Sequence, residues 1–572
     1  MKKLVVFVFF LSALVYAKGG EKKASPTNEQ GTPSWTHICI NNISSWFYNN
    51  GSSDLNQKGS SGLIFPKGSG KTAVFQSGLV WGAKIDGTVE VGGSTYWQGT
   101  IPGYIKSDGT AANPSDPAVR IYRVRRDYKN TNADFNSEIS LGEGDRNTIY
   151  AQYDKDWIEW PATQGAPYED VNHDGKYEPS IDIPGYPGAD QTIWFVCNDL
   201  DAAQVNKMYG SVPLGIEEQV TIWAYNQSGA LGNMFFRKYL IINKNINQKS
   251  FNEMYVSMWT DVDLGDAGND LIGCDTTRSL MFFYNGKDED AVYSPLPPPA
   301  IGFDFFQGPK VPTGNSNDRA IFRGRYVRGF KNLPMTSFYY FINGDPIYQD
   351  PNQGNYNTGT LFFWNLLNGL ISSNGQPFKD PNTGAITKFP LSGDPVTQTG
   401  WVDGKVNPPF DRRGGMVSGP FQMAYGDTQE VVVNEICAGA TPGVSRLDAV
   451  TLLKSYDTDA QTFYNNLPVS VKDEYTIPSE YKLAQNYPNP FNPTTTIRYS
   501  IPSVGRNEIS TYKVALKVYD VLGREIITLV NEEKAPGEYE VKFDGSKLAS
   551  GVYFYRLQAG SFSEAKKLVL MK

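Results

Sequence analysis

The carboxyl-terminal residues 481–572 alternate short apolar runs with turn residues, and this pattern restricts them to one class of fold. Six runs are rich in β-branched and aromatic residues, and they cover Thr494–Ile501, Lys513–Asp520, Glu525–Val530, Glu538–Phe543, Val552–Gln558 and Phe562–Leu570. In the second run Val514, Leu516 and Val518 alternate with other side chains, as in a strand with one buried face. Turn dipeptides such as Pro536-Gly537 separate the runs. The segment is therefore predicted to form an immunoglobulin-like β-sandwich of six or seven strands.

Four sequence blocks in this segment carry a family resemblance. They are Pro488-Asn-Pro-Phe-Asn-Pro, Val518-Tyr-Asp-Val-Leu-Gly-Arg-Glu, Leu548-Ala-Ser-Gly-Val-Tyr-Phe-Tyr-Arg-Leu and Lys566-Lys567-Leu568-Val569-Leu570. In this order they resemble the type A C-terminal sorting domain of type IX secretion system substrates. By this resemblance the sorting signal includes Gly523, Gly551, Tyr553, Lys566 and Lys567.

The resemblance also implies a destination and partners. Such a domain is recognised at the outer membrane by the type IX secretion machinery, which carries the protein to the cell exterior. A sortase-like peptidase usually removes the domain, and the mature protein is often joined to surface lipopolysaccharide. We therefore expect an extracellular protein or one on the outer cell surface.

The amino terminus reads as a signal peptide over residues 1–17. A basic Met1-Lys2-Lys3 precedes the apolar run Leu4–Val15, and small residues allow cleavage after Ala17. The run is short for a spanning helix, although a membrane anchor is the alternative. With a mean hydropathy of −0.40 and no second long apolar stretch, no transmembrane segment is expected after cleavage. Residues 18–35 are polar and predicted to be a flexible lead.

Composition excludes some classes of partner and site. The net charge of −8 disfavours nucleic acid, whose phosphates would be repelled. The four cysteines, which are Cys39, Cys197, Cys274 and Cys437, are either two disulfides or four buried thiols. Only two histidines occur, so a multi-histidine zinc site is not favoured.

Residues 36–475 form a body that is predicted to be mainly β, followed by a linker at 476–480. Its predicted strands are Thr72–Val80, Thr88–Tyr96, Val119–Val124, Gln191–Cys197, Glu218–Asn226, Met234–Asn243, Glu253–Trp259 and Glu430–Cys437. Gly and Pro loops between them favour a β-sandwich body over βαβ units. One helix is expected over Ser445–Tyr464, packed on a sheet. A weak boundary near residues 180–190 could divide the body into two subdomains.

The segment from Asp170 to Asp182 predicts a calcium site. Oxygen side chains stand at its first, third and fifth positions, and Gly175 at the sixth permits a sharp turn. The twelfth position, which is a bidentate Glu in helix–loop–helix calcium sites, is Ile181 here, so Asp182 is expected to substitute. The expected ligands are Asp170, Asn172, Asp174, the Lys176 carbonyl, Glu178 and Asp182. The alternative is an Asx-rich turn that satisfies its own backbone.

A second acidic stretch runs from Asp261 through Asp263 and Asp266 to Asp270. So many carboxylates would repel each other unless they are hydrated or neutralised by a cation. Their spacing matches no metal motif, so both interpretations stay open.

Two functions of different class follow for the body. Neither His37 nor His173 is placed for a hydrolytic triad, since the second lies inside the predicted calcium loop. The first interpretation is a non-catalytic structural or adhesive body that calcium stabilises. The alternative is a secreted hydrolase acting on polysaccharide, because paired carboxylates can catalyse glycoside hydrolysis without histidine. A cleft that holds two carboxyls with shifted pKa values would favour the hydrolase.

Overall fold

The structure is a computed structural model, and it describes residues 34–467, 480–502, 512–534 and 537–572. The predicted signal peptide with Ala17, most of the lead and most of the linker lie outside these residues. The body strands are β1 Trp35–Ile38, β2 Ser45–Tyr48, β3 Leu63–Ile64, β4 Thr72–Val74, β5 Gln76–Ile85, β6 Thr88–Thr95, β7 Gln98–Gly99, β8 Ile101–Pro102, β9 Tyr122–Arg125, β10 Tyr168–Glu169, β11 Ile183–Pro184, β12 Gln191–Asn198, β13 Ile216–Ala224, β14 Met234–Asn243, β15 Phe251–Asp261, β16 Asp270–Asp275, β17 Leu280–Asn285, β18 Ala300–Gln307, β19 Lys310–Pro312, β20 Arg319–Phe322, β21 Arg325–Arg328, β22 Phe330–Asn332, β23 Ser337–Ile342, β24 Phe378–Lys379, β25 Ile386–Thr387, β26 Arg412–Met423 and β27 Thr428–Ala438. The α-helices are α1 Asn136–Ser140, α2 Arg146–Ile158, α3 Ala202–Tyr209, α4 Leu361–Leu367 and α5 Arg446–Asn465.

Two antiparallel sheets organise the body. The larger has the order β16-β17-β18-β27-β14-β13-β12-β8, with β9 also paired to β12. The smaller has the order β23-β26-β15-β5-β6-β7. The consecutive strands β26 and β27 belong to different sheets, so the short connection between them crosses from one sheet to the other.

Alternating side chains of the two sheets meet in one core. On β14, Phe235, Tyr239 and Ile241 point into the space between the sheets, whereas Met234 and Phe236 point away from it. The strands are therefore apolar on both faces, as expected of sheets that are covered on both sides.

Helices cover the outer faces. Helix α5 packs Val450 and Leu453 against the larger sheet. Helices α3 and α4 pack Met208, Phe363 and Leu367 against the smaller sheet. The body thus has four layers, with helices outside two sheets.

The predicted fold class is confirmed, with local differences. The predicted strand over residues 72–80 is interrupted at Phe75, between β4 and β5. The expected helix occurs as α5, and Ser445 with Asp448 forms its capping box. The described residues also contain four shorter α-helices that hydrophobic periodicity did not indicate. Residues on both sides of 180–190, such as Ile121 and Ile193, share one core, so the body core continues across that position.

The carboxyl-terminal segment forms its own β-sandwich. Its strands are β28 Lys482–Leu483, β29 Thr494–Ile501, β30 Tyr512–Tyr519, β31 Glu525–Lys534, β32 Gly537–Asp544, β33 Gly551–Ala559 and β34 Phe562–Leu570. They form sheets of order β28-β29-β32 and β31-β30-β33-β34. Val514, Leu516 and Val518 lie in the core between these sheets, as their alternation predicted.

Two further sequence questions have structural outcomes. All four cysteines are buried free thiols, so the second of the two alternatives holds. Among the described residues, no helix combines the length and apolar character that a membrane span requires.

Candidate metal centre and sorting domain

The Asp170–Asp182 segment is a loop between two short paired strands. Strand β10 precedes it and the antiparallel β11 follows it, with Glu169 opposite Ile183. Strands, not helices, therefore flank the loop.

Backbone N–H groups orient the side chains at the start of the loop. The Asp170 carboxylate accepts hydrogen bonds from the N–H groups of Asp174 at 3.2 Å and Gly175 at 2.8 Å. The Asp174 carboxylate accepts one from Lys176 N–H at 2.9 Å. Gly175 has a φ of 77°, a left-handed conformation that favours glycine. The chain therefore curls tightly around the Asp170 carboxylate.

Asp182 is held against the same loop. Its Oδ1 accepts a hydrogen bond from Val171 N–H at 3.0 Å, and its Oδ2 accepts one from Glu178 N–H at 2.8 Å. Asn172 Nδ2 donates to Glu178 Oε2 at 2.9 Å. All six predicted ligand positions thus lie in one compact loop, and Asp182 joins its two ends.

Two indole groups fix the loop to the body. Trp157 Nε1, on α2, donates to the Pro179 carbonyl at 3.0 Å, and Tyr177 Oη donates to the Trp157 carbonyl at 2.5 Å. Trp160 Nε1 donates to the Pro167 carbonyl at 2.8 Å. A change that stabilises the loop should therefore also stabilise α2. Because α2 packs against β9, the larger sheet should be stabilised as well.

Three carboxylates converge most closely elsewhere. Oxygens of Asp261, Asp263 and Asp411 all lie within 4.8 Å of one another, and this is the sole such group within the described part of the chain. The loop carboxylates do not meet this criterion. The sequence pattern indicated the first two residues, but Asp411 is far away in sequence and is brought near by the pairing of β15 with β26.

The structure also brings together a carboxyl pair that the sequence did not indicate. Asp304 of β18 and Asp457 of α5 line a cavity of about 530 Å³, and their exposed fractions are 1% and 2%. Burial raises the pKa of Asp457 to about 7. Burial also raises the pKa of Asp304, and the Asp457 charge adds to the effect. No donor among the described residues bonds either oxygen of Asp304 or Oδ1 of Asp457.

Four of the five expected sorting residues lie on one hairpin, formed by β33 and β34. Gly551 pairs with Leu570, Tyr553 with Leu568, Phe554 with Lys567, and Tyr555 with Lys566. Gly523 lies in the turn after β30, where it has a φ of 78° and its N–H donates to the Asp520 carbonyl at 3.0 Å. Because β30 pairs with β33 and Tyr519 lies opposite Phe554, this turn is at the same end of the sheet as Tyr553.

Comparisons with known proteins assign a family to the end of the chain alone. A family model described as "Secretion system C-terminal sorting domain" matches residues 485–571. No curated protein matches the chain.

Two solved structures show weak similarity. A polysaccharide lyase is 6% identical with a TM-score of 0.19, over 62% of this chain and 34% of that one. A structure of PorZ, described as an essential bacterial surface component of the type-IX secretion system of Porphyromonas gingivalis, is 13% identical with a TM-score of 0.11, over 67% and 43%. This chain thus spans less than half of either structure, and such TM-scores do not indicate a shared fold. Residues 485–571 are a type IX secretion system C-terminal sorting domain, and they mark this chain as a secreted or cell-surface protein.

Proposed function

We propose that the type IX secretion system exports this protein across the outer membrane, and that its body is a non-catalytic structural or adhesive module stabilised by calcium. The sorting domain supports the export route. A sortase-like peptidase that removes this domain, and surface lipopolysaccharide that receives the mature protein, are the further partners that we propose.

The observation that carries the calcium proposal is the position of Asp182. Its two hydrogen bonds, from Val171 N–H and Glu178 N–H, tie Asp182 to both halves of the loop that begins at Asp170. Backbone donors already orient Asp170 and Asp174, which lowers the entropy cost of binding an ion. Calcium accepts six to eight oxygen ligands in flexible geometry, which suits carboxylates, an amide and a carbonyl.

The carboxyl pair supports a non-catalytic body. Glycoside hydrolysis needs two carboxyls that reach the scissile bond of a bound sugar. Both oxygens of Asp304 and Oδ1 of Asp457 are closed to solvent, so these carboxyls are not placed to meet a sugar. The shifted pKa values therefore reflect burial at the junction of α5 with the larger sheet.

The test is thermal unfolding of the purified chain in millimolar calcium and in a chelator. The signal is tryptophan fluorescence, which reports on the body alone because all 11 tryptophans lie within residues 35–401. A ligand at a hundredfold excess over its Kd stabilises the folded state by about 2.7 kcal/mol. We expect calcium to raise the Tm by a few degrees.

The Asp170→Asn/Asp174→Asn variant should lose the part of this shift that the loop supplies. Asp108→Asn is the matched control, because Asp108 caps the Thr110 N–H in an exposed turn of the same type. An unchanged calcium shift in the double variant would overturn the loop assignment.

A further inference from the structure

The Asp261, Asp263 and Asp411 cluster joins parts of the body that are distant in sequence. Asp261 is the last residue of β15, and Asp411 immediately precedes β26, which pairs with β15 in the smaller sheet. Asp263 follows β15 in the connection to β16. The three carboxylate groups each place an oxygen within 4.8 Å of the others.

Several oxygens here are buried without a hydrogen-bond donor. Asp261 is 3% exposed and Asp270 is 0% exposed. Among the described residues, Oδ1 of Asp261, of Asp270 and of Asp411 has no partner. Asp270 Oδ2 accepts only a long bond, 3.4 Å, from Leu264 N–H. Buried polar atoms normally have partners, so these three oxygens point to a missing one.

The charge balance points to a cation. Arg413 forms ion pairs with Asp261 and Asp411, each at 3.1 Å, and a third with Asp350. The single positive charge of Arg413 therefore faces three carboxylates, and Asp263 and Asp270 are two further acidic groups nearby.

Asp270 lies beside the cluster. Its Oδ2 accepts the bond from Leu264 N–H, which follows Asp263 in the chain, and its carbonyl accepts one from Phe410 N–H at 3.1 Å, which precedes Asp411. The carboxyl of Asp270 therefore belongs to the same acidic region.

We propose that Asp261, Asp263 and Asp411 bind one calcium ion, with the orphaned oxygen of Asp270 directed toward it. All of these donors are oxygens, which suits a hard cation. Oxygens on opposite sides of a calcium ion are about 4.6–5.2 Å apart, twice the metal–oxygen distance, and the cluster fits this span. This site is separate from the Asp170 loop and does not depend on it.

The ion would connect the two sheets. Asp261 and Asp411 belong to adjacent strand ends in the smaller sheet, whereas Asp270 is the first residue of β16, the edge strand of the larger sheet. Ser61 Oγ donates to Asp263 Oδ2 at 3.0 Å, so the amino-terminal part of the body also reaches the site. A calcium ion here would therefore link the ends of β15 and β26 in the smaller sheet to the start of β16 in the larger one.

The test counts bound calcium in the purified full chain, by calorimetry and by metal analysis after gel filtration. The Asp170→Asn/Asp174→Asn variant lacks the loop site, so it should retain one calcium ion, at the Asp261, Asp263 and Asp411 cluster. Adding Asp263→Asn and Asp411→Asn to this variant should remove that remaining ion. Retention of that ion would overturn the proposal, as would its absence in the Asp170→Asn/Asp174→Asn background. If the loop proposal is wrong, the Asp170→Asn/Asp174→Asn variant should bind as many calcium ions as the wild type.

A sign reversal distinguishes a cation from protonated carboxyls. In a chelator, Asp263→Asn should raise the Tm because it removes repulsion among carboxylates. In millimolar calcium the same variant should have a lower Tm than the wild type, because it loses a ligand. A rise of equal size in both conditions would show that protons alone neutralise the cluster and would overturn the proposal.

Discussion

The carboxyl group of Glu218 lies opposite Cys197 on the neighbouring strand, and its Oε2 accepts a hydrogen bond from the thiol at 3.3 Å. Its Oε1 has no partner among the described residues, and the side chain lies inside the body core. Burial raises the pKa of Glu218 to about 8. The folded state therefore binds a proton that the unfolded state releases at much lower pH.

This proton predicts a pH dependence of stability. A folded-state pKa above the unfolded value gives stability that is present below the unfolded pKa of about 4.3 and is lost as pH rises toward 8. Up to about 1.4 kcal/mol is lost per pH unit in this window. Glu218→Gln should remove this loss and raise the free energy of unfolding at pH 8, as measured by urea titration from pH 5 to 9. Equal pH slopes in variant and wild type would contradict the assignment.

A buried ion triad predicts a large loss of stability on substitution. Arg237, between the two sheets, contacts Asp54 at 3.1 Å and also pairs with Glu435. Arg237→Met leaves both carboxylates buried without a counter-ion, and breaking such a pair costs about 3–5 kcal/mol. Urea titration at pH 7 followed by tryptophan fluorescence measures the loss. Lys249→Met is the control, because its partner Asp86 is exposed and surface pairs contribute about 0–1 kcal/mol. Similar losses in the two variants would contradict the role of burial.

The four buried thiols predict a reactivity pattern. Burial raises the pKa of Cys39 to about 12, and it raises the pKa of Cys197, Cys274 and Cys437 as well. Only the thiolate reacts readily, so a thiol reagent should modify none of them in the native chain and all four in urea without reductant. A Ser107→Cys variant, with its thiol in an exposed loop, should react in the native state. Fewer than four reactive thiols in urea would reveal a disulfide.

Export and calcium binding should be separable. A chain lacking residues 481–572 should remain between the two membranes, because the sorting domain is missing. Asp170→Asn/Asp174→Asn should reach the exterior as the wild type does. Immunoblots of periplasm, cell surface and medium measure the distribution. Truncated protein outside the cell would contradict the sorting role, and retained double variant would contradict the separation.

Features encoded by neighbouring residues could be predicted from the sequence. Helix α5 was predictable because Ser445 and Asp448 satisfy each other's backbone groups three residues apart. Six of the seven strands of the tail, β29 to β34, were predictable because turn residues bound each run of β-branched and aromatic residues. The Asp170 loop was predictable as one unit because its oxygen side chains and Gly175 are close neighbours in the sequence.

Sites assembled from distant residues could not be predicted. Asp411 meets Asp261 through the register of β15 with β26, where Asp261 lies opposite Arg413. Asp304 meets Asp457 because α5 packs on β18. Nothing near either residue in sequence specifies its partner. The short helices α3 and α4 were missed because packing against the smaller sheet stabilises them more than their own periodicity does.

The placement of β26 and β27 sets the order in which the body can fold. β27 lies between β14 and β18, and β26 lies between β15 and β23. A nascent chain that ends before residue 412 therefore lacks a central strand of both sheets. Folding must wait for pairings between segments far apart in sequence, which slows it. For a secreted protein such a delay keeps the chain unfolded while it is being synthesised, the state in which it can still be threaded through a membrane.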